Sequence, residues 1–205
     1  MIWAVILAAG ESRRMGRPKL ILPYGERTII ETVVRNAVSS RVDRTLVVLG
    51  ANRQEIEEKI AGFDVDRVVN AGYREGMFSS VKCGLSALPG SARAAVFMLA
   101  DQPDVRTLAV DALVDAYLRE GKGIVIPVFK GKRGHPLLVD LKYRRRVETL
   151  SPEVGLRGLL RENPEDILEV SVPSSAVLDD IDYPEDYKRA RRRSRPRKPP
   201  RPSRV

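Results

Sequence analysis

Residues 5–23 read VILAAGESRRMGRPKLILP, and their order decides the fold. Residues 2–9 are apolar, in a register suited to a buried strand. The run breaks at Gly10 and enters a polar loop bounded by Gly10 and Gly16, with Arg13, Arg14, Arg17 and Lys19 in it or just after it. A strand delivering into a glycine-bounded loop exposes backbone N–H groups, and such a concavity suits an anion. Arginine adds planar, forked donors and lysine a mobile point charge. The combination reads as a triphosphate site, although the same residues would also make a basic surface loop. The common phosphate signatures are absent. Gly10 and Gly16 are six apart, which excludes G-x-G-x-x-G, and Lys19 lies three residues past the second glycine, which excludes G-x-x-x-x-G-K-[ST].

Outward from this stretch, apolar strands alternate with helical patterns. Helical spacing is predicted over residues 28–40, with Thr28 as N-cap and Glu31 three residues on, then over 53–60 behind Asn52 as cap. Further helices are predicted at 79–88, 107–120, 156–161 and 184–192. Strands are predicted at 44–50, 66–69, 94–99, 123–128, 136–139 and 167–172. Continuous apolar strands between helices call for a three-layer, Rossmann-like α/β fold, with a mostly parallel central sheet and helices on both faces. In such a sheet the ligand sits beyond the carboxyl ends of the strands. The Gly10 loop ends the first strand and Asp101 follows the strand at 94–99, so both are predicted on one edge.

The chain has 205 residues, 43% hydrophobic, enough for one core. No apolar run approaches the ~18 residues of a membrane span, and the N-terminus reads as a first strand rather than a leader. Cys83 and His135 are the only residues of their kinds, so a disulfide, a thiolate zinc cluster and poly-histidine metal sites are excluded within the chain. These features predict a cytoplasmic protein. The net charge of +9 is local: residues 188–205 hold ten Lys/Arg and no acid, which leaves 26 Lys/Arg against 27 Asp/Glu elsewhere. The expected organisation is one domain over 1–189 and an Arg/Pro-rich disordered tail over 190–205, able to attract polyanions without specificity.

Several residues stand where chemistry is expected. Asp101, before Gln102 and Pro103, follows a fully apolar strand, and a carboxylate there must face a cleft or a partner. It suits Mg2+, which needs only one or two protein carboxylates beside phosphate oxygens; it would equally initiate a turn. Residues 179–187, DDIDYPEDY, hold five acids, with Asp182 placed to cap a helix. The glycine-rich segment from Asn70 through Gly76 to Ser80 offers groups for a base or ribose, or an ordinary helix cap at Ser79. His135, between Gly134 and Pro136, reads either as a substrate contact or as an exposed loop histidine. Cys83 reads as a small core residue.

Leu7-Ala8-Ala9-Gly10-x-Ser12-x-Arg14-Met15-Gly16-x-Pro18-Lys19-Leu20 resembles the signature of the nucleotidyltransferase family that includes the molybdenum cofactor cytidylyltransferases. The resemblance extends over residues 2–187. It implies that Leu7, Ala8, Ala9, Gly10, Ser12, Arg14 and Lys19 wrap a nucleoside triphosphate, and that Asn70, Gly76 and Ser80 read its nucleoside. It implies Asp101 as a metal ligand, completed by Asp182 with Asp180 as second choice, and Arg14, Lys19 and Asp101 as the catalytic set. Gly134-His135-Pro136 resembles a segment beside the second substrate. Two departures stand out: Glu153 replaces an aspartate in a D-x-G-x-R stretch, and Phe78 stands where a small residue is frequent. The implied reaction transfers CMP from CTP to the phosphate of molybdopterin, with Mg2+ as cofactor and a molybdoenzyme as a possible partner. Alternatives are a sugar- or polyol-phosphate cytidylyltransferase, a guanylyltransferase, and a non-catalytic cofactor-delivery subunit.

Overall fold

A computed structural model describes residues 1–194. In chain order the elements are β1 (Ile2–Ala8), β2 (Pro23–Tyr24), β3 (Arg27–Thr28), α1 (Ile29–Val38), β4 (Arg44–Leu49), α2 (Arg53–Lys59), β5 (Asp66–Val69) and α3 (Met77–Ala87). They continue with β6 (Ala94–Leu99), α4 (Thr107–Glu120), β7 (Ile124–Phe129), β8 (Lys132–Arg133), β9 (Leu137–Asp140), α5 (Arg144–Thr149), α6 (Leu156–Glu162), β10 (Ile167–Ser171) and α7 (Pro184–Arg193). Seven strands form the main sheet in the order β10-β7-β9-β6-β1-β4-β5, and β8 pairs with β7. β4, β1 and β6 run parallel at the centre, as do β5 with β4 and β10 with β7. The strand expected at 136–139 is β9, and it runs antiparallel between β6 and β7.

The side-chain period of a strand sorts the core into two sheets of packing. From β1, Ile2, Ala4, Ile6 and Ala8 join residues of α1, α2, α4 and α7 on one face. Trp3 and Val5 join residues of α3, α5 and α6 on the other. With both faces covered, the central strands are apolar throughout rather than alternating. On the second face α3 comes in close through Gly84, where a Cβ would stand 2.7 Å from Val5 Cγ1.

Local chemistry accounts for several boundaries. Thr28 forms a full capping box with Glu31, satisfying backbone donors at the start of α1. Asn52 occupies the N-cap position of α2 in the left-handed region at φ 55°, but its side chain makes no capping bond, contrary to expectation. Asp182 does not cap α7 either. Tyr183 is the cap, and Asp186 accepts from the backbone N–H groups of Asp182 and Tyr183. α3 begins at Met77, two residues before the expected start, and the short hairpin β2–β3 and helix α5 were not predicted. The first residues of the expected tail, 190–194, belong to the α7 region, and Ala190 is buried. Residues 195–205 lie outside the described residues. No helix among the described residues is long and apolar enough to cross a membrane.

Candidate functional site

β1 has β4 on one side and β6 on the other, so the strand order reverses at β1. A crevice is expected beyond the carboxyl ends at such a point. A cleft of about 860 Å³ lies there, lined by the loop after β1, by Asp101 and Gln102 after β6, and by residues of segments 73–80 and 177–182. Leu7, Ala9, Gly10, Ser12, Arg14, Lys19, Gly76, Ser80, Asp101, Asp180 and Asp182 all line it. The site residues named from sequence therefore converge, with Ala8 and Asn70 as the exceptions. Ala8 is buried in the core, and Asn70 is buried behind the cleft wall.

The loop after β1 is held by its own serine. Ser12 sits in the left-handed region at φ 56°, and its hydroxyl accepts from the backbone N–H of Lys19 at 3.1 Å. A 3-10 turn over Arg13–Met15 buries Met15 beneath the loop, while Arg13 and Arg14 stay exposed. Ser12 thus fixes the base of the Lys19 side chain from across the loop.

Lys19 reaches into the centre of the site. Its ammonium donates to Asp101 Oδ2 at 2.6 Å and to Asp182 Oδ1 at 2.9 Å, and its side chain is only 12% exposed. Arg14 donates to the other carboxylate oxygen of Asp182 and stacks over the Tyr183 ring, 5.7 Å from its centroid. Burial works against the charged form of Lys19, but the Asp101 and Asp182 carboxylates outweigh it and raise its pKa. Burial likewise opposes ionisation of Asp182, yet the hydrogen bonds and charges of Lys19 and Arg14 hold its carboxyl below the ordinary range. Asp180 is raised, first by burial and then by the like charges of Asp101 and Asp182.

Two carboxylates converging on one cation position, with a phosphate-bearing substrate to complete the shell, fit a hard divalent ion that keeps several waters. Among the described residues no group of three or more His, Cys, Asp or Glu gathers in a form able to hold a metal. Asp101 and Asp182 are the residues that would hold one.

Between β5 and α3, Asn70 Nδ2 donates to the hydroxyls of Ser79 and Ser80 at 2.8 and 3.0 Å, and its Oδ1 accepts from Gly72 N–H at 3.0 Å. Asn70 thus ties the turn after β5 to the start of α3. Gly76, at φ 104°, and Ser80 line the cleft together with Tyr73, Arg74 and Met77 of the same segment.

A second chamber of about 440 Å³ adjoins the first, sharing Leu7, Met77, Leu99, Arg133, Gly134, His135 and Arg157 with it. Its walls are mostly apolar and include Phe78, Val81, Phe97, Ile126, Leu137 and Leu160. His135 lies at the junction. Burial lowers its pKa, the Asp101 charge opposes this, and its buried Nδ1 has no hydrogen-bond partner in the structure. The segment after β8 packs backbone to backbone, with His135 N–H donating to the Val177 carbonyl at 2.8 Å. Sequence reasoning missed Tyr183 beneath Arg14, and missed the apolar chamber. Phe78 stood out only as a departure from the family pattern, and the α6 leucines carried only a core signal, because their spacing is that of a buried face.

The MobA-like NTP transferase domain family matches residues 4–167. A molybdenum cofactor cytidylyltransferase of Escherichia coli (strain K12) is 28% identical over 190 residues, covering 92% of this chain and 95% of that one. A nicotine blue oxidoreductase of Paenarthrobacter nicotinovorans is 31% identical over 197 residues, with 92% and 95% covered. Among solved structures, a manganese complex of Rv0371C from Mycobacterium tuberculosis superposes with a TM-score of 0.78 at 25% identity, covering 93% of this chain and 98% of that one. The domain match spans most of the chain and includes both the loop after β1 and Asp101, and on that ground the chain belongs to the MobA-like NTP transferase family.

Proposed function

We propose that this nucleotidyltransferase moves CMP from CTP to the phosphate of molybdopterin, releasing pyrophosphate, with Mg2+ as its ion. The observation that carries it is the meeting of Arg14, Lys19, Asp101 and Asp182 at the carboxyl ends of β1 and β6, beside a chamber of different chemistry. The charged cleft suits the triphosphate. The flat apolar walls of the chamber, Phe78, Phe97 and Leu137 among them, suit a ring system, and Arg133, His135, Glu153 and Arg157 offer partners for its polar edge. The E. coli relative of that printed activity is in keeping with this choice, as is the Leu7-Ala8-Ala9-Gly10 segment without a second glycine.

The chain's own residues act by position and charge. The acceptor phosphate is already anionic near neutral pH, so no side chain has to remove a proton from it. Its oxygen forms a bond to the α-phosphorus as the bond from that phosphorus to the α–β bridging oxygen breaks, and pyrophosphate leaves with the electron pair. Arg14, Lys19 and the exposed N–H groups of the loop hold the triphosphate and offset the charge that develops on it. A magnesium ion held by Asp101 and Asp182 would supply further neutralisation of phosphate oxygens. Ser12 keeps the loop closed on Lys19. His135 and Arg157, at the junction of the two cavities, orient the acceptor phosphate toward the α-phosphorus. Delivery of the product to a molybdoenzyme is the partner role that follows.

The test is thermal stability with CTP, GTP, ATP and UTP, each with and without Mg2+, followed by pyrophosphate release with molybdopterin. A ligand at a hundred times its dissociation constant adds roughly 2.7 kcal/mol to the folded state. A Mg2+-dependent shift selective for CTP, with turnover on molybdopterin, is the expected result. A shift with GTP alone would change the product to a guanine dinucleotide. Turnover on a polyol phosphate but not on molybdopterin would overturn the acceptor.

A further inference from the structure

We propose that Lys19 is the resident cation of the Asp101–Asp182 pair, and that it yields that position only to a divalent ion arriving already complexed with a triphosphate. The proposal rests on the nucleotide assignment made above. Its starting point is a balance of charge. Asp101, Asp180 and Asp182 line one part of the cleft, and the two cations that reach them, Lys19 and Arg14, are both engaged with carboxylate oxygens.

A bare divalent ion would have to displace an ammonium that lies 2.6 Å and 2.9 Å from its two carboxylates. The displaced ammonium would be left unpaired in a largely buried position, which is costly. A triphosphate without a metal fares no better. Drawing Lys19 away would leave Asp101 and Asp182 facing the incoming phosphates, with like charges opposed at short range. Only the metal–triphosphate complex supplies both replacements together. The metal takes the carboxylates, and phosphate oxygens take Lys19 and Arg14.

The loop is built for such an exchange. The backbone of Lys19 is fixed at both groups, its N–H donating to Ser12 Oγ at 3.1 Å and its carbonyl accepting from Leu22 N–H at 3.1 Å. The pivot is held while the four-carbon side chain can swing. Arg14 has a side chain 62% exposed and meets little obstruction in turning from Asp182 to a ligand. Metal and nucleotide should therefore bind with strong positive coupling, and Lys19 should be its source.

The experiment is a titration of the full chain with Mn2+, read by calorimetry and by the electron paramagnetic resonance of free Mn2+, with and without a non-hydrolysable CTP analogue. Wild type should bind Mn2+ weakly alone and at least tenfold more tightly with the analogue. Lys19→Met should bind Mn2+ alone about tenfold more tightly than wild type and lose most of the coupling. Lys19→Arg, which keeps a cation in place, should resemble wild type for Mn2+ alone and guards against a misfolded Lys19→Met. Unchanged or weaker Mn2+ binding in folded Lys19→Met, with nucleotide binding still dependent on Mn2+, would overturn the proposal and leave the nucleotide assignment standing. Failure of wild type to bind any nucleotide, with or without Mn2+, would overturn the exchange through loss of the nucleotide assignment itself.

Discussion

The backbone N–H of Ile181 donates to the carbonyl oxygen of Asp101 across 3.1 Å. The bond fastens a segment near the end of the chain to the end of a central strand. It is the reason Asp182 arrives on the far side of Lys19 from Asp101. Because the link is made by backbone atoms, it does not depend on the carboxylate of Asp101.

Asp101→Asn should therefore separate charge from architecture. Asparagine keeps a side-chain acceptor for Lys19 and leaves the bond to Ile181 intact. Turnover dependent on the divalent ion should fall on the order of 10²-fold or more, while the thermal midpoint changes little. Steady-state kinetics beside a melting curve measures both. Unchanged turnover would remove Asp101 from the reacting centre.

Much of this arrangement was legible in the sequence. Apolar runs between helical patterns specified the layers, because strands buried on both faces cannot alternate. The rule that ligands gather beyond the carboxyl ends of strands placed Gly10 and Asp101 on one edge. What could not be read were relations made by close backbone approach. Gly134 against Val177 carries no periodic signal, and β9 reads the same whether it runs with or against its neighbours. The bonds of Asn70 to Ser79, Ser80 and Gly72 could not be read either, because a polar residue in a glycine-rich loop looks the same whether it faces a ligand or ties down its own turn. The second chamber was hidden for the opposite reason: its walls are core residues, and core spacing does not tell a filled interior from an apolar cavity.

His135 gives a pH dependence with a definite sign. Burial lowers its pKa below the ordinary 6.5 despite the Asp101 charge, so the folded chain holds it neutral where the unfolded chain protonates it. The unfolded state then binds more protons, and stability rises with pH through the window below 6.5 and levels off above it. Asp180, raised in the folded state, acts in the opposite direction at lower pH. Urea midpoints at about pH 5 and about pH 7 should differ in wild type, and the difference should shrink in His135→Asn. As the chain has no other histidine, an undiminished difference in the variant would place the titration elsewhere.

Gly134→Ala should be costly for a reason the sequence hides. A Cβ at this position would stand 2.2 Å from the Val177 carbonyl oxygen and 2.8 Å from its carbon, and both are backbone atoms. The segment after β8 and the turn holding Val177 must part, and such overpacking costs about 1–3 kcal/mol. The bond from His135 N–H to the same carbonyl would stretch, moving the imidazole at the junction of the two cavities. The KM for the acceptor should rise more than that for the nucleotide. Gly90→Ala is the control, since nothing lies within 4 Å of its Cβ and no left-handed backbone is involved.

The basic C-terminus should divide into two parts when the chain is cut after residue 194 or after residue 189. The longer product keeps all of α7, including buried Ala190 and Arg193, which pairs with Asp104 at 2.9 Å and Asp179 at 3.6 Å. The shorter product loses the last turn of the helix, a buried methyl group and both pairs. Exposed pairs contribute at most about 1 kcal/mol each, so the loss is expected to be about 1–3 kcal/mol in total. It should appear as a lower denaturant midpoint. The cut after 194 removes five Lys/Arg and should leave the midpoint and the turnover unchanged. If the intact chain is retained on immobilised RNA in a salt-dependent way, that retention should weaken with either cut, because it comes from clustered positive charge. A loss of turnover on cutting after 194 would show instead that the segment beyond α7 takes part in the reaction.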